Sequence, residues 1–182
     1  MGWRLKKTIA MVGMMGAGKT AVGRALAAAL EVPFLDSDHE IETAANMTIP
    51  EIFARDGEAF FRQKEAQVIA RLLEEARGVL STGGGAFLAE ANRRTISNKG
   101  VSIWLNADLD VLWNRVRHRD HRSLLKTEDP YATLKGLYEA RVPFYAQADL
   151  TVRSDAQTSV EGVVDRVLAA LATRSDVLEQ EQ

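Results

Sequence analysis

Eight residues, Gly13-Met14-Met15-Gly16-Ala17-Gly18-Lys19-Thr20, constrain this chain more than any other feature. They satisfy G-x-x-x-x-G-K-[ST] at every fixed position. An apolar run at 8–12 that reads as a strand precedes them, and an Ala-rich stretch at 21–30 with helical spacing follows. Glycines let the backbone wrap so that successive N–H groups point inward, and the start of the helix adds partial positive charge. A lysine at the end of such a loop supplies a full charge to the β- and γ-phosphates of a nucleotide, and the adjacent Thr20 hydroxyl suits Mg2+. From average residue frequencies the pattern arises by accident in roughly one chain in a hundred of this length. The strand-to-helix setting lowers that further. A guanine-reading N-K-x-D begins at Asn98-Lys99 but ends in Val101, so ATP is the expected nucleotide.

The rest of the chain alternates in the same way. Runs at 8–12, 33–36, 79–82, 101–106 and 149–153 read as strands. Between them, 21–30 and 58–77 carry helical spacing, the second with Phe61, Val68 and Leu72 on one stripe and Ile69 and Leu73 beside it. Gly78 is the expected left-handed stop of that helix. Thr48 with Glu51, Ser37 with Glu40, and Thr158 with Glu161 read as capping boxes. This alternation predicts an α/β chain with a parallel sheet and helices on both faces. No repeat or linker divides it, so one domain is expected over 1–173. A polar tail at 174–182 is expected to fray.

Composition sets limits. At 182 residues with 46% hydrophobic and 26% charged residues, the chain can bury a sizeable core. Its 23 basic and 25 acidic residues leave a formal charge of -2, which predicts no nucleic-acid coat. The absence of cysteine excludes disulfides, thiolate zinc sites and cysteine nucleophiles, and fits a reducing cytoplasm. No stretch is long enough to span a membrane. Basic residues precede the apolar run 9–15 as in a secretory signal, but glycines break that run and the phosphate loop accounts for it.

Further polar residues cluster around the expected strand ends. On an extended segment Asp36 and Asp38 would share a side and face the crevice where open α/β sheets bind ligands. One suits Mg2+ through water, the other a substrate hydroxyl; helix capping is the competing role. Gly83-Gly84-Gly85 offers unobstructed N–H groups, or simply a flexible turn. Arg62, flanked by Glu58 and Glu65, is either part of a solvated salt-bridge face or a guanidinium aimed at a carboxylate, with Arg141 as a second arm. Arg115, Arg117, Arg119 and Arg122 crowd a segment that reads as a lid over phosphates. His118 and His121 read as surface residues, and Trp3, Trp104 and Trp113 as packing residues.

Taken together, these residues resemble the shikimate kinases. The resemblance runs over about 8–171, and its specific part is ordered: Asp36-x-Asp38, Gly57-Glu58 with Phe61-Arg62 and Glu65, Gly83-Gly84-Gly85, Arg122, then Arg141 before Pro143 and Tyr145. It implies a three-layer P-loop NTPase fold with a five-stranded parallel sheet, a substrate-binding segment at about 37–65 and a lid at about 117–128. It implies ATP with Mg2+, and transfer of the γ-phosphate to the 3-hydroxyl of shikimate in aromatic biosynthesis. Asp38, Arg62, Gly84, Gly85 and Arg141 would hold shikimate, and Thr20 and Asp36 would serve Mg2+. Gly13, Gly16, Ala17, Gly18, Lys19, Thr20, Ala21, Arg115 and Arg122 would face the nucleotide. Lys19, Asp38 and Arg122 would carry the chemistry. The expected partner is this small molecule alone, with no nucleic acid or membrane, for a cytoplasmic monomer. The family lid commonly reads Arg-Pro-Leu-Leu; here it is Arg122-Ser123-Leu124-Leu125, which restores a backbone donor and freedom. The rival readings are a kinase for gluconate or a nucleotide, and a catalytically idle nucleotide-binding module.

Overall fold

The structure, a computed structural model, describes residues 2–118 and 126–181. Its elements in order are β1 (Trp3–Leu5), β2 (Thr8–Val12), α1 (Lys19–Leu30), β3 (Phe34–Asp36), α2 (Ser37–Ala45), α3 (Ile49–Glu75) and β4 (Val79–Ser81). A short 3-10 turn (Ala86–Leu88) leads to α4 (Glu90–Lys99), β5 (Gly100–Asn106), α5 (Leu109–Val116), α6 (Pro130–Tyr145), β6 (Leu150–Arg153), α7 (Val160–Leu171) and β7 (Leu178–Gln180).

Five strands form the expected parallel sheet, in the order β3-β4-β2-β5-β6. β2 is buried at every position, as a central parallel strand covered on both faces must be. The strand order reverses around β2, which makes its carboxyl end the place where such sheets receive ligands. Register then sets the site. Met11 pairs with Ser81, and Ser81 with Asp36, so three chains leave the sheet at one level. Two residues beyond those positions stand Gly13, Gly83 and Asp38.

α3 carries the expected buried stripe of Phe61, Val68, Ile69, Leu72 and Leu73. Gly57, at φ 86 and ψ 170, breaks it into a short helix capped by Thr48 and a long one. Only glycine enters that conformation without a Cβ penalty. Among the described residues no helix is long and apolar enough to cross a membrane.

Several local expectations are corrected. α3 ends at Glu75 with Ala76 extended, so Gly78 is no left-handed cap. Gly78 is needed for space, because a Cβ there would lie 2.5 Å from the Pro33 carbonyl oxygen. α2 is capped by Asp36, whose Oδ1 accepts from the N–H groups of Asp38 (2.9 Å) and His39 (3.2 Å); Ser37 lies inside the helix. Asp38 is therefore not on a strand, and it is the capped turn that sets its direction relative to Asp36. α7 is capped by Ser159, one residue beyond Thr158, whose hydroxyl instead donates to Asp155. The polar tail does not fray throughout: β7 pairs antiparallel with β1, over buried Val177 and Leu178.

Candidate active site

The phosphate loop runs from the end of β2 into α1. Gly13, Gly16 and Gly18 all have positive φ, and Gly18 is the left-handed residue that opens α1. Lys19 Nζ donates to the Gly13 carbonyl at 2.6 Å, spanning the mouth of the loop. Thr20 and Ala21 stand exposed on the first turn of α1. Gly16 has no alternative residue: besides its φ of 86, a Cβ would lie 2.7 Å from Val116 Cγ1. Gly16→Ala is expected to weaken ATP binding by about tenfold through this distortion. Titration with a fluorescent nucleotide checks it, and an unchanged affinity would count against the loop's role.

The back of the loop is held from across the sheet. Arg115 Nη1 donates to the carbonyls of Gly16 (2.9 Å) and Ala17 (3.3 Å), and Nη2 to that of Asp155 (3.2 Å). Ser154, only 2% exposed, donates its hydroxyl to the same Ala17 carbonyl at 3.1 Å. Sequence reasoning had not singled out Ser154 or Asp155. Their only signal is position: they leave the carboxyl end of β6. Asp155 accepts from Thr158, Gln157 and Arg166, and the bonds from Thr158 and then Arg166 bring the pKa of its carboxyl down to about 2.

On the other side of Lys19 the predicted residues converge. Each glycine of the 83–85 turn lies against one of them. A Cβ on Gly83 would fall 2.7 Å from Asp38 Oδ1, one on Gly84 2.7 Å from Arg141 Nη1, and one on Gly85 2.5 Å from Arg62 Nη2. Three acidic or basic side chains thus meet over a floor that has no side chains of its own. Burial pushes the Asp38 carboxyl up, nearby Asp36 adds to this, and the charges of Lys19 and Arg62 oppose it. The Asp38 carboxylate is therefore in electrostatic reach of both the phosphate loop and Arg62.

Arg62 lies between one exposed and one buried acidic neighbour. Its Nε lies 3.7 Å from Glu58, which is 70% exposed and adds little. Its Nη1 donates at 2.9 Å to Glu65, which is 1% exposed. Burial raises the Glu65 carboxyl, with Arg62 as the main opposing group and Asp38 and Arg141 also in range. The signal for this anchor is in the sequence: Glu65 occupies the 61-65-68-72 stripe whose other members are apolar.

Asp36 keeps its carboxylate beside Asp38 while capping α2. Among the described residues no group of three or more His, Asp or Glu side chains is arranged to cage a metal ion. The donors Thr20 and Asp36 instead suit Mg2+, which retains waters and takes most of its remaining ligands from phosphates. Arg119, His121, Arg122 and the 123–125 departure from the family lid lie outside the described residues. Trp104 is buried in packing, and His118 is exposed.

Comparison with known proteins extends this geometry. A family model described as shikimate kinase matches residues 15–172. A shikimate kinase of Ruegeria pomeroyi is 75% identical over 175 residues, covering 96% of this chain and 90% of that protein. One of Cereibacter sphaeroides is 68% identical over 179 residues, covering 98% and 89%. Among solved structures, shikimate kinase from Acinetobacter baumannii in complex with shikimate superposes with a TM-score of 0.84 at 37% identity, covering 92% of this chain and 93% of that one. A family match over most of its length and identities this high across nearly the whole of both chains leave one conclusion: the chain belongs to the shikimate kinase family.

Proposed function

We propose that the protein transfers the γ-phosphoryl group of ATP to the 3-hydroxyl of shikimate, giving ADP and shikimate 3-phosphate. The observation that carries this reading is that Asp38 meets Arg62 over the 83–85 turn, with the charge of Lys19 also acting on its carboxylate. The acceptor must bring a hydroxyl to the first and an anionic group to the second. Shikimate, with one carboxylate and three hydroxyls, has both.

In this reading Arg62 and Arg141 pair with the shikimate carboxylate, and the N–H groups of Gly84 and Gly85 approach the ring. Glu65 holds the Arg62 guanidinium in place. Asp38 accepts the hydrogen of the 3-hydroxyl, orients its oxygen in line with the γ-phosphorus and takes the proton as the new O–P bond forms. The N–H groups at Gly13, Gly16, Ala17, Gly18, Lys19, Thr20 and Ala21 surround the phosphates. Lys19 neutralises charge on the transferring group, and Arg122 would add to this by family resemblance. Thr20 and Asp36 would hold Mg2+ beside the phosphates, and the ion would supply charge neutralisation there. Catalysis is then mainly positioning and electrostatics, because a loose phosphoryl-transfer transition state asks little of a base. Arg115 stands between the loop and Asp155, where it would border the adenine.

The same reading carries a cytoplasmic monomer acting on a small molecule, with a substrate segment at about 37–65 and a lid at about 117–128. A coupled ADP-release assay with shikimate, gluconate and nucleoside monophosphates tests it. Turnover is expected with shikimate alone, and only with Mg2+ present. Turnover with gluconate and none with shikimate would reject the reading.

A further inference from the structure

We propose that Tyr145 is a positioning residue for the acceptor substrate, acting through the 83–85 turn and Arg141. Three consecutive glycines have the greatest backbone freedom of any turn and no side chains with which to fix it. Yet the floor of the site is built from them, so something outside the turn must hold it. Besides the local bonds from the Ala86 and Leu88 N–H groups to the Gly83 and Gly85 carbonyls, the structure shows two holds from distant side chains. At one end the Gly83 N–H donates to buried Ser37 Oγ at 3.2 Å. At the other the Tyr145 hydroxyl donates to the Gly84 carbonyl at 2.5 Å.

The second hold acts directly on a substrate-facing group. The Gly84–Gly85 peptide is planar and trans, so fixing the Gly84 carbonyl fixes the Gly85 N–H on the opposite side of the same plane. Tyr145 is itself rigid. It is 1% exposed and packs against Trp104, with ring centroids 6.3 Å apart. It follows Arg141 by four residues on α6, so both side chains leave one face of that helix. The position of a Cβ on Gly84 lies 2.7 Å from Arg141 Nη1 and 3.8 Å from the Tyr145 hydroxyl, which places all three groups at one point. Burial pushes the phenol up from its ordinary value against the pull of Arg141, so the hydroxyl stays a donor well into alkaline pH. A single buried hydroxyl therefore ties the glycine floor to the helix that carries one of the two guanidinium arms.

The inference rests on the shikimate reading, and the parent enzyme is measured first to keep the two separate. Absence of shikimate turnover in the parent would be a failure of that reading. Given a parent that turns over, Tyr145→Phe keeps the ring and removes the hydroxyl. Its shikimate KM is expected to rise about five- to tenfold, while its ATP KM stays within about twofold of the parent. A role in stability alone would lower the melting temperature and leave both KM values in place. An unchanged shikimate KM, or equal rises in both, would overturn the proposal. Replacement of Tyr145 by 4-aminophenylalanine restores a donor on the same ring and covers the case in which Tyr145→Phe does not fold. It is expected to hold the shikimate KM within about threefold of the parent. A tenfold rise there would equally overturn the proposal.

Discussion

Asp38→Asn is expected to lower kcat by about a thousandfold, because the hydroxyl loses the charge that orients it as well as its proton acceptor, while ATP affinity stays within about twofold. Asparagine keeps the size and one oxygen but can neither take a proton nor carry the charge that draws the hydroxyl toward phosphorus. Stopped-flow turnover with calorimetric titration of ATP measures both quantities. An equal loss of ATP affinity would place Asp38 in nucleotide binding. The pH dependence follows from the direction of its shift. Burial and Asp36 raise the Asp38 carboxyl above its ordinary 3.8, so the acid limb of kcat/KM should lie above that value and disappear in the variant. Stability runs the other way. A carboxyl with a raised folded-state pKa favours folding most below its unfolded value, and that contribution is lost as pH rises through the folded value. At neutral pH the parent therefore bears the cost of a partly buried charge, which asparagine removes. The variant should melt a few degrees higher at pH 7 and not at pH 4. A lower melting temperature at pH 7 would contradict the buried-charge account.

Arg62→Ala should weaken shikimate binding by about 30- to 100-fold, the worth of a charge-assisted pair to a carboxylate. It should also destabilise the protein, which a surface arginine would not. The change leaves Glu65 buried without its main partner, at a cost of about 2–3 kcal/mol, discounted because Arg62 is itself 34% exposed. For a chain of this size that is a fall of about 5–10 °C in melting temperature. The double variant Arg62→Ala with Glu65→Gln separates the two effects. Neutralising Glu65 should restore most of the melting temperature and none of the shikimate affinity. Recovery of affinity in the double variant would mean that Arg62 never touched the substrate.

The fold could be read in the sequence because local and global signals agree in it. The strand-loop-helix at 8–30, the stripe of 58–77 and the regular alternation leave few alternatives to a parallel sheet. Asp36, Asp38 and the 83–85 glycines could be singled out because they stand at strand ends, whereas Arg62 and Arg141 lie within α3 and α6 and took their expected roles from the family resemblance. Less legible were features settled by contacts between distant segments. Gly78 reads as a helix stop but is required by the Pro33 carbonyl leading into the neighbouring strand β3. Asp36 and Ser159 displaced Ser37 and Thr158 as caps, because several capping residues stand side by side in both places and only tertiary packing selects one. The β1–β7 pair joins residues that are far apart in sequence, and nothing in polar 174–182 announces a strand. The bonds of Arg115 and Ser154 to the phosphate loop depend on how β6 lies beside β5, which no local pattern encodes.

That terminal pair has a topological meaning. The Glu181 N–H donates to the Gly2 carbonyl at 2.8 Å, and β1 leads into β2 at the end of that strand away from the phosphate loop. Joining Gly2 to Glu181 by a short linker and opening the chain between α7 and β7, outside the β2–β6 crossovers, would leave each parallel crossover intact. The order in which the ribosome delivers these elements is thus separable from the architecture that binds nucleotide and acceptor, and a circularly permuted enzyme should still phosphorylate.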